Sequence, residues 1–350
     1  MSAGYEAIDC APPGRTTPAV NARIGDGVLS AVGATPLVRL TRLFGDSRAR
    51  FHAKLESLNP GGSMKDRSAM GMVLGAIERG ELIPNQSTVV ESSSGNLGIG
   101  LAQVCRWFGL RFICVADPKM TAQNLAILAA YGAELDIVRE PDNEMGDFLS
   151  ARIRRVRELV HDIPHAFWPN QYANPLNARA QETIMQEVVR QLDGNVDYLF
   201  VATGTCGTIH GCARFVADHG LGTHIVAVDA EGSAIFGEPS CRRLIPGHGA
   251  AIRSELYYDG IAHSVARMTD QDCVVGCRRL VGVEAILGGG SSGAVVSAVA
   301  QRLAEIPAGA NCVLLLPDRG ERYLDTIYSD VWVEERFGDI AHLWKEQTTC

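Results

Sequence analysis

The chain has 350 residues, enough for roughly two domains of ~150 residues or one large α/β domain. Hydrophobic residues make up 46% and charged residues 21%, the mix of a soluble globular protein and not of a disordered or fibrous one. A formal net charge of -8 with no run of Lys or Arg gives a polyanion nothing to hold, so no nucleic-acid partner is expected.

The opening stretch, MSAGYEAIDCAPPGRTTPAV, has neither the basic start nor the apolar middle of a leader peptide, and residues 1–25 are expected to form a flexible arm. No apolar run of ~18 residues occurs, so no membrane contact is expected and a cytoplasmic location is. After the loop and helix start LNPGGSMKDRSAMGMVL (58–74), short β-branched runs alternate with helical patterns: TVVES (88–92), NLGIGLAQVCRWF (96–108), RFICVA (111–116), AQNLAILAAY (122–131) and ELDIV (134–138). Gly109 and Gly132 fall just past two of the helices, where a positive φ is wanted. A second series follows the Pro/Asn-rich WPNQYANPLN (168–177): a helix near 178–192, VDYLFVAT (196–203), a helix from about 207, HIVAVDA (224–230) and NCVLLLP (311–317). This alternation predicts βαβ units and two parallel-sheet α/β units in succession.

The ten cysteines are scattered through apolar segments, where a thiol serves as a small hydrophobe. Cys273 and Cys277 lie one turn apart on a predicted helix with no histidine or second pair nearby, so no metal site is expected.

Ligands of open α/β sheets bind beyond the carboxyl ends of the strands, and the unusual loops all fall there. SSSGN (Ser92 to Asn96), GTCGT (Gly204 to Thr208) and GGGSSG (Gly288 to Gly293) each open a helix, and their glycines let backbone N–H groups converge on an anion at the helix's positive end. The lysine loop is not a Walker A loop, because Met64 precedes Lys65 and Asp66 follows it. Ser63 and Asp66 fit a capping box that would place Lys65 at the second helical position. There the helix end disfavours an ammonium and frees the amine to attack an aldehyde, as a Schiff-base lysine does.

These residues resemble the pyridoxal-phosphate enzymes of fold type II, the group of cysteine synthase and cystathionine β-synthase. The similarity runs in the family's order through VGATPLVRL (32–40), NPGGSMKDR (59–67), ESSSGNLGIGLA (91–102), NQYANPLN (170–177), GTCGT, GGGSSGA and PDRGERYLDT (317–326). It implies a tryptophan synthase β-like fold of two parallel-sheet α/β domains with pyridoxal 5'-phosphate in the cleft between them. Residues 58–175 would form a smaller, mobile domain, residues 26–57 and 176–330 a larger one, and 331–350 a C-terminal tail.

By the same resemblance Lys65 carries the cofactor and Asn96 bonds its 3'-oxygen. The cup Gly204, Thr205, Cys206, Gly207 and Thr208 holds the phosphate, with Cys206 where the family more often has Gly or Thr, and Ser291 faces the ring nitrogen. Ser93, Ser94, Gly95 and Gln171 would bind the substrate α-carboxylate. A neutral serine at the ring nitrogen makes a weaker electron sink than an aspartate would. That suits β-replacement, in which an aminoacrylate forms and is attacked by a nucleophile, with Lys65 as the base at Cα.

Cysteine synthases commonly read TSGNTG where this chain has Leu97. The SSSGNLG loop and the C-terminal segment are more similar to a branch that joins O-phospho-L-serine and L-glutamate into N-(2-amino-2-carboxyethyl)-L-glutamate. That product leads to 2,3-diaminopropionate for siderophores or peptide antibiotics. A phosphate leaving group and a glutamate nucleophile need cations, for which Lys119, Arg152 or Arg154, and Arg253 are candidates. A cysteine synthase, a cystathionine β-synthase-like enzyme and a non-catalytic partner-binding homologue stay open as alternatives. The family's usual state implies a homodimer.

Overall fold

The computed structural model describes residues 25–142 and 148–345, so the expected N-terminal arm lies, apart from Gly25, outside the described residues. In chain order the elements are β1 (Leu37–Leu40), β2 (Arg50–Leu55), α1 (Lys65–Glu78), β3 (Thr88–Ser92), α2 (Asn96–Trp107), β4 (Arg111–Ala116), α3 (Ala122–Ala130) and β5 (Glu134–Ile137). Then come α4 (Phe148–Asp162), β6 (Ala166–Phe167), α5 (Pro175–Gln191), β7 (Tyr198–Ala202), α6 (Gly207–Asp218), β8 (His224–Ala230) and β9 (Ser264–Met268). The last are α7 (Asp270–Glu284), α8 (Gly290–Gln301), β10 (Asn311–Leu316), α9 (Asp330–Phe337) and α10 (His342–Lys345).

They build two sheets. The smaller runs β5-β4-β3-β6 and is parallel throughout. The larger runs β1-β2-β10-β7-β8-β9 and is parallel from β2 to β9, whereas β1 pairs antiparallel with β2. The short link between Leu40 and Arg50 explains this edge, because a parallel crossover needs about a dozen residues or more. Every residue of β3 and of β10 is buried, as expected for central strands covered on both faces.

Local chemistry sets the element boundaries. Gly109 and Gly132 take φ of 63° and 80° just past α2 and α3, as their positions predict. The helix expected near 178 begins earlier, at Pro175, because the Asn174 side chain accepts the Leu176 N–H and proline is tolerated in a first turn. Thr269 and Asp272 form a reciprocal capping box at the start of α7. The box expected at Ser63 and Asp66 does not form. Met64 is the cap of α1, Lys65 is its first residue, and the Asp66 carboxylate turns back to accept the Gly61 N–H. The Asp66 N–H donates to the Ser63 backbone carbonyl (3.2 Å) and not to its hydroxyl, so neither side chain caps the other.

The sheet order has one consequence for function. β10, near the chain's end, lies between β2 and β7, so the loop after β10 meets the lysine loop that follows β2: Met64 N–H donates to the Pro317 carbonyl (2.9 Å). Val333 of α9 and Ile340 join the core of the larger sheet. Among the described residues no helix is long and apolar enough to cross a membrane.

Candidate active site

A cavity of about 270 Å³ is walled by the loops that leave β3, β7 and β10. Lys65, Ser93, Ser94, Gly95, Asn96, Gln171, Gly204, Thr205, Cys206, Gly207, Thr208 and Ser291 all lie on its wall, so the lysine, the carboxylate loop, the phosphate cup and the ring-nitrogen serine are brought to one place.

Lys65 opens α1, and its backbone N–H donates to Ser63 Oγ (3.2 Å). Burial lowers the amine to about 8, while the nearby Asp318 carboxylate pulls the other way. The desolvation of the cleft wall, more than the helix end invoked from sequence, makes this amine reactive near neutral pH.

The SSSGN loop is held by its own side chains. Ser93 Oγ accepts the Gly98 N–H (2.9 Å), which ties up part of this hydroxyl as a cap on α2, and the Ser94 carbonyl accepts from Asn124 Nδ2 (3.0 Å). Gln171 Nε2 donates to the Ser92 carbonyl (3.2 Å), and its backbone N–H donates to Glu91 Oε2 (3.3 Å). Glu91 also accepts the Trp168 indole N–H (3.0 Å); burial raises its carboxyl to about 7 against these hydrogen bonds. This buried carboxyl joins the end of β3 to the Gln171 loop.

At the cup, Cys206 caps α6 with φ 63° and ψ -4°, the left-handed region where a non-glycine residue costs about 1–2 kcal/mol. Glycine would adopt that conformation without the cost. Burial pushes the Cys206 thiol up to about 12, so it stays protonated and is no nucleophile. The N–H groups of Thr205, Cys206, Gly207 and Thr208 meet no acceptor among the described residues. A Cβ on Gly204 would meet only the Gly247 carbonyl, at 3.5 Å, and would otherwise take up cavity space. Unpartnered N–H groups at a helix N-terminus, a glycine leaving room above them and a lysine amine on the same wall fit a phosphate-bearing aldehyde.

Of the four candidate cations, Lys119 and Arg152 line the cavity. Arg154 pairs with Asp142, and Arg253 stands over the Tyr257 ring (4.6 Å) with its Nε donating to the Ile235 carbonyl (2.9 Å). Lys119 is exposed, with its Nζ 5.2 Å from the centre of the Phe148 ring. Asn124, Tyr172, Asp318, Arg322 and Tyr323 also face the cavity and were not singled out from sequence. The PDRGERYLDT segment was the available signal for the last three, but nothing local marks which of its side chains turn inward.

Fold and site together define a fold type II enzyme dependent on pyridoxal phosphate. Residues 28–318 match the family model described as pyridoxal-phosphate dependent enzyme, and the chain belongs to that family. It is similar in structure to a cysteine synthase from Entamoeba histolytica (32% identity, TM-score 0.82, 91% of this chain and 94% of that one). An O-acetylserine dependent cystathionine beta-synthase from Helicobacter pylori matches with 28% identity and a TM-score of 0.81 over 88% of this chain and 100% of that one. An O-ureido-L-serine synthase matches with 28% identity and a TM-score of 0.81 over 88% of this chain and 96% of that one. The protein is a pyridoxal-phosphate enzyme of the β-replacement type.

Proposed function

We propose that the enzyme joins O-phospho-L-serine and L-glutamate into N-(2-amino-2-carboxyethyl)-L-glutamate with release of phosphate, supplying 2,3-diaminopropionate for siderophore or peptide-antibiotic biosynthesis. The observation that carries this reading is the pair of cations, Lys119 and Arg152, on the cavity wall apart from the cup and the lysine. Arg152 is ion-paired with Asp117 (Nε to Oδ2, 3.3 Å), and its Nε makes no hydrogen bond among the described residues. A phosphate leaving group calls for one such cation and a dicarboxylate nucleophile for another, whereas acetate release to a sulfide nucleophile calls for neither. Leu97, buried at the start of α2, also removes a hydroxyl that cysteine synthases keep beside the substrate carboxylate.

Pyridoxal 5'-phosphate bound here supplies an electron sink for negative charge at the substrate Cα. The N–H groups of Thr205 to Thr208 hold its phosphate, Asn96 its ring 3-oxygen and Ser291 its ring nitrogen. Ser291 offers no fixed negative charge to keep that nitrogen protonated, which favours loss of a Cβ leaving group over deeper carbanion chemistry. The Lys65 amine takes the proton from Cα, and a value of about 8 suits it to do so near neutral pH. Ser93, Ser94, Gly95 and the Gln171 amide hold the substrate α-carboxylate, while Arg152 and Lys119 neutralise the departing phosphate and then the incoming carboxylates. By the same resemblance the enzyme works as a homodimer, which sedimentation would test, and the sequence reading of its opening stretch favours a cytoplasmic location, which cell fractionation would test.

The 32% identity to a cysteine synthase favours a second reading, with sulfide as the nucleophile. Mass spectrometry separates the two when O-phosphoserine or O-acetylserine is offered with glutamate or sulfide. The expected result is a glutamate adduct from O-phosphoserine with one phosphate released. Rapid cysteine formation from O-acetylserine and sulfide, with no glutamate adduct from either donor, would overturn the proposal.

A further inference from the structure

The loop after β10 touches three parts of the site at once. Asp318 forms a backbone bridge with Ser63 of the lysine loop, and its carbonyl accepts the Gly289 N–H (3.2 Å) from the loop before Ser291. Its side chain is buried, at 1% exposure. Oδ2 accepts the Asn96 Nδ2–H (2.8 Å) and the Tyr323 hydroxyl (2.7 Å). Oδ1 is buried with no hydrogen-bond partner; burial raises this carboxyl above its ordinary value, while the bonds from Asn96 and Tyr323 and the Arg322 and Lys65 charges act in the opposite sense and favour the carboxylate. The fit is close: a Cβ on Gly289 would sit 2.1 Å from Oδ1.

Asn96 is gripped from both ends. Arg322, itself buried, donates through Nη1 to Asn96 Oδ1 and through Nη2 to the Gly61 carbonyl. A flipped amide would set its NH₂ against a guanidinium, which only donates, and its oxygen against a carboxylate, which only accepts. Both contacts would be lost, so the orientation is dictated. One Nδ2–H goes to Asp318 and the other remains for the cavity that Asn96 lines.

We propose that Asp318, with Arg322, is a positioning residue of this site: it locks the Asn96 amide with one N–H toward the cofactor's ring 3-oxygen and sets a buried carboxylate beside the Lys65 amine. The proposal rests on the reading of Lys65 and Asn96 given above. A purely structural role would be met by asparagine, whose single side-chain oxygen can accept from both Asn96 and Tyr323. The negative charge is what asparagine lacks, and it is the charge that Lys65 feels.

The test uses the full-length protein, freed of cofactor with hydroxylamine and labelled with acetic anhydride at pH 7, each lysine being quantified by peptide mass spectrometry. Asp318→Asn removes the charge that stabilises the Lys65 ammonium, so Lys65 should be acetylated about threefold faster or more. Lys345, exposed and outside the cavity lining, should keep its rate. An unchanged Lys65 rate, or an equal rise at Lys345, overturns the proposal. Cofactor affinity supplies the second readout. Asp318→Ala and Asn96→Ala should each weaken it about tenfold or more, and the double variant should lose clearly less than the two losses combined, because Asp318 acts on the ring oxygen through Asn96. Additive losses overturn the positioning role. If Asp318→Ala does not fold, Arg322→Lys, which cannot serve both Asn96 and Gly61, replaces it in the cycle. Borohydride fixation on the wild type keeps the two readings apart: cofactor on another lysine sinks the Lys65 assignment, while cofactor on Lys65 with unaltered variants sinks this one alone.

Discussion

Replacing Arg67 by methionine tests how the lysine-bearing helix is held. Arg67 lies two residues beyond Lys65 on α1 and is 3% exposed. Its Nε and Nη2 meet the two oxygens of Glu56, each at 2.8 Å, while Nη1 and Nη2 meet those of Glu187 at 2.7 and 2.9 Å. One guanidinium thus joins α1 to the turn after β2 and to α5. Glu187 also holds Lys54 (2.6 Å); although burial raises its carboxyl, Arg67 and Lys54 outweigh this and hold it at about 2. Methionine keeps the length of the stem and removes the charge. Glu187 retains Lys54, but the fully buried Glu56 is left with only the Thr35 hydroxyl and the Asn59 amide. Removing one partner of a buried ion pair costs about 3–5 kcal/mol. An unfolding entropy of about 2.1 cal/mol/K per residue makes that a fall in Tm of roughly 4–7 °C for a chain of this length. Arg67→Lys, with one ammonium for two carboxylates, should lose about half as much. The folded-state value of Glu187 is depressed, so its contribution is complete above the usual 4.5 and is lost as pH falls through about 2. The wild-type advantage over Arg67→Met should therefore narrow between those values. Calorimetry at pH 7.5 and pH 3 reads both effects, and a loss below about 1 kcal/mol, or one equal at the two pH values, would refute the reasoning.

Three further outcomes are expected. The purified protein should be yellow, borohydride should fix the cofactor on Lys65, and Lys65→Ala should abolish turnover while some cofactor still binds through the cup; in cofactor-free protein, acetylation of Lys65 should rise with pH around a midpoint of about 8, and a midpoint near 10.5 would contradict its buried environment. Ser291→Asp should shift the absorbance of the bound cofactor and slow turnover, and an unchanged spectrum and rate would mean that this serine does not face the ring. Arg152→Met should raise KM for O-phosphoserine at least about tenfold, since a hydrogen bond to a charged group contributes about 1.5–3 kcal/mol, yet leave O-acetylserine within about threefold; an equal loss with both donors would remove Arg152 from phosphate recognition.

Much of this enzyme is readable without coordinates, because some of its information is local. TVVES, RFICVA and HIVAVDA form β3, β4 and β8 where their β-branched runs place them, and the glycine loops open α2, α6 and α8. SSSGN and GTCGT leave the carboxyl ends of β3 and β7, as the pattern predicts, whereas GGGSSG follows α7 and not a strand, and reaches the cavity at the start of α8. Tertiary structure decided what no local period encodes. It turned β1 antiparallel through a short link, released Asp66 from its expected cap, and brought Lys119 and Arg152, but not Arg154 or Arg253, to the cavity wall. It also set Asp318 against Asn96, 222 positions away in sequence, by placing β10 between β2 and β7. A helical or strand period reports which face of its own element a residue occupies, but the neighbour across that face is fixed by the order in which strands pair, and that order is settled only when the whole core closes.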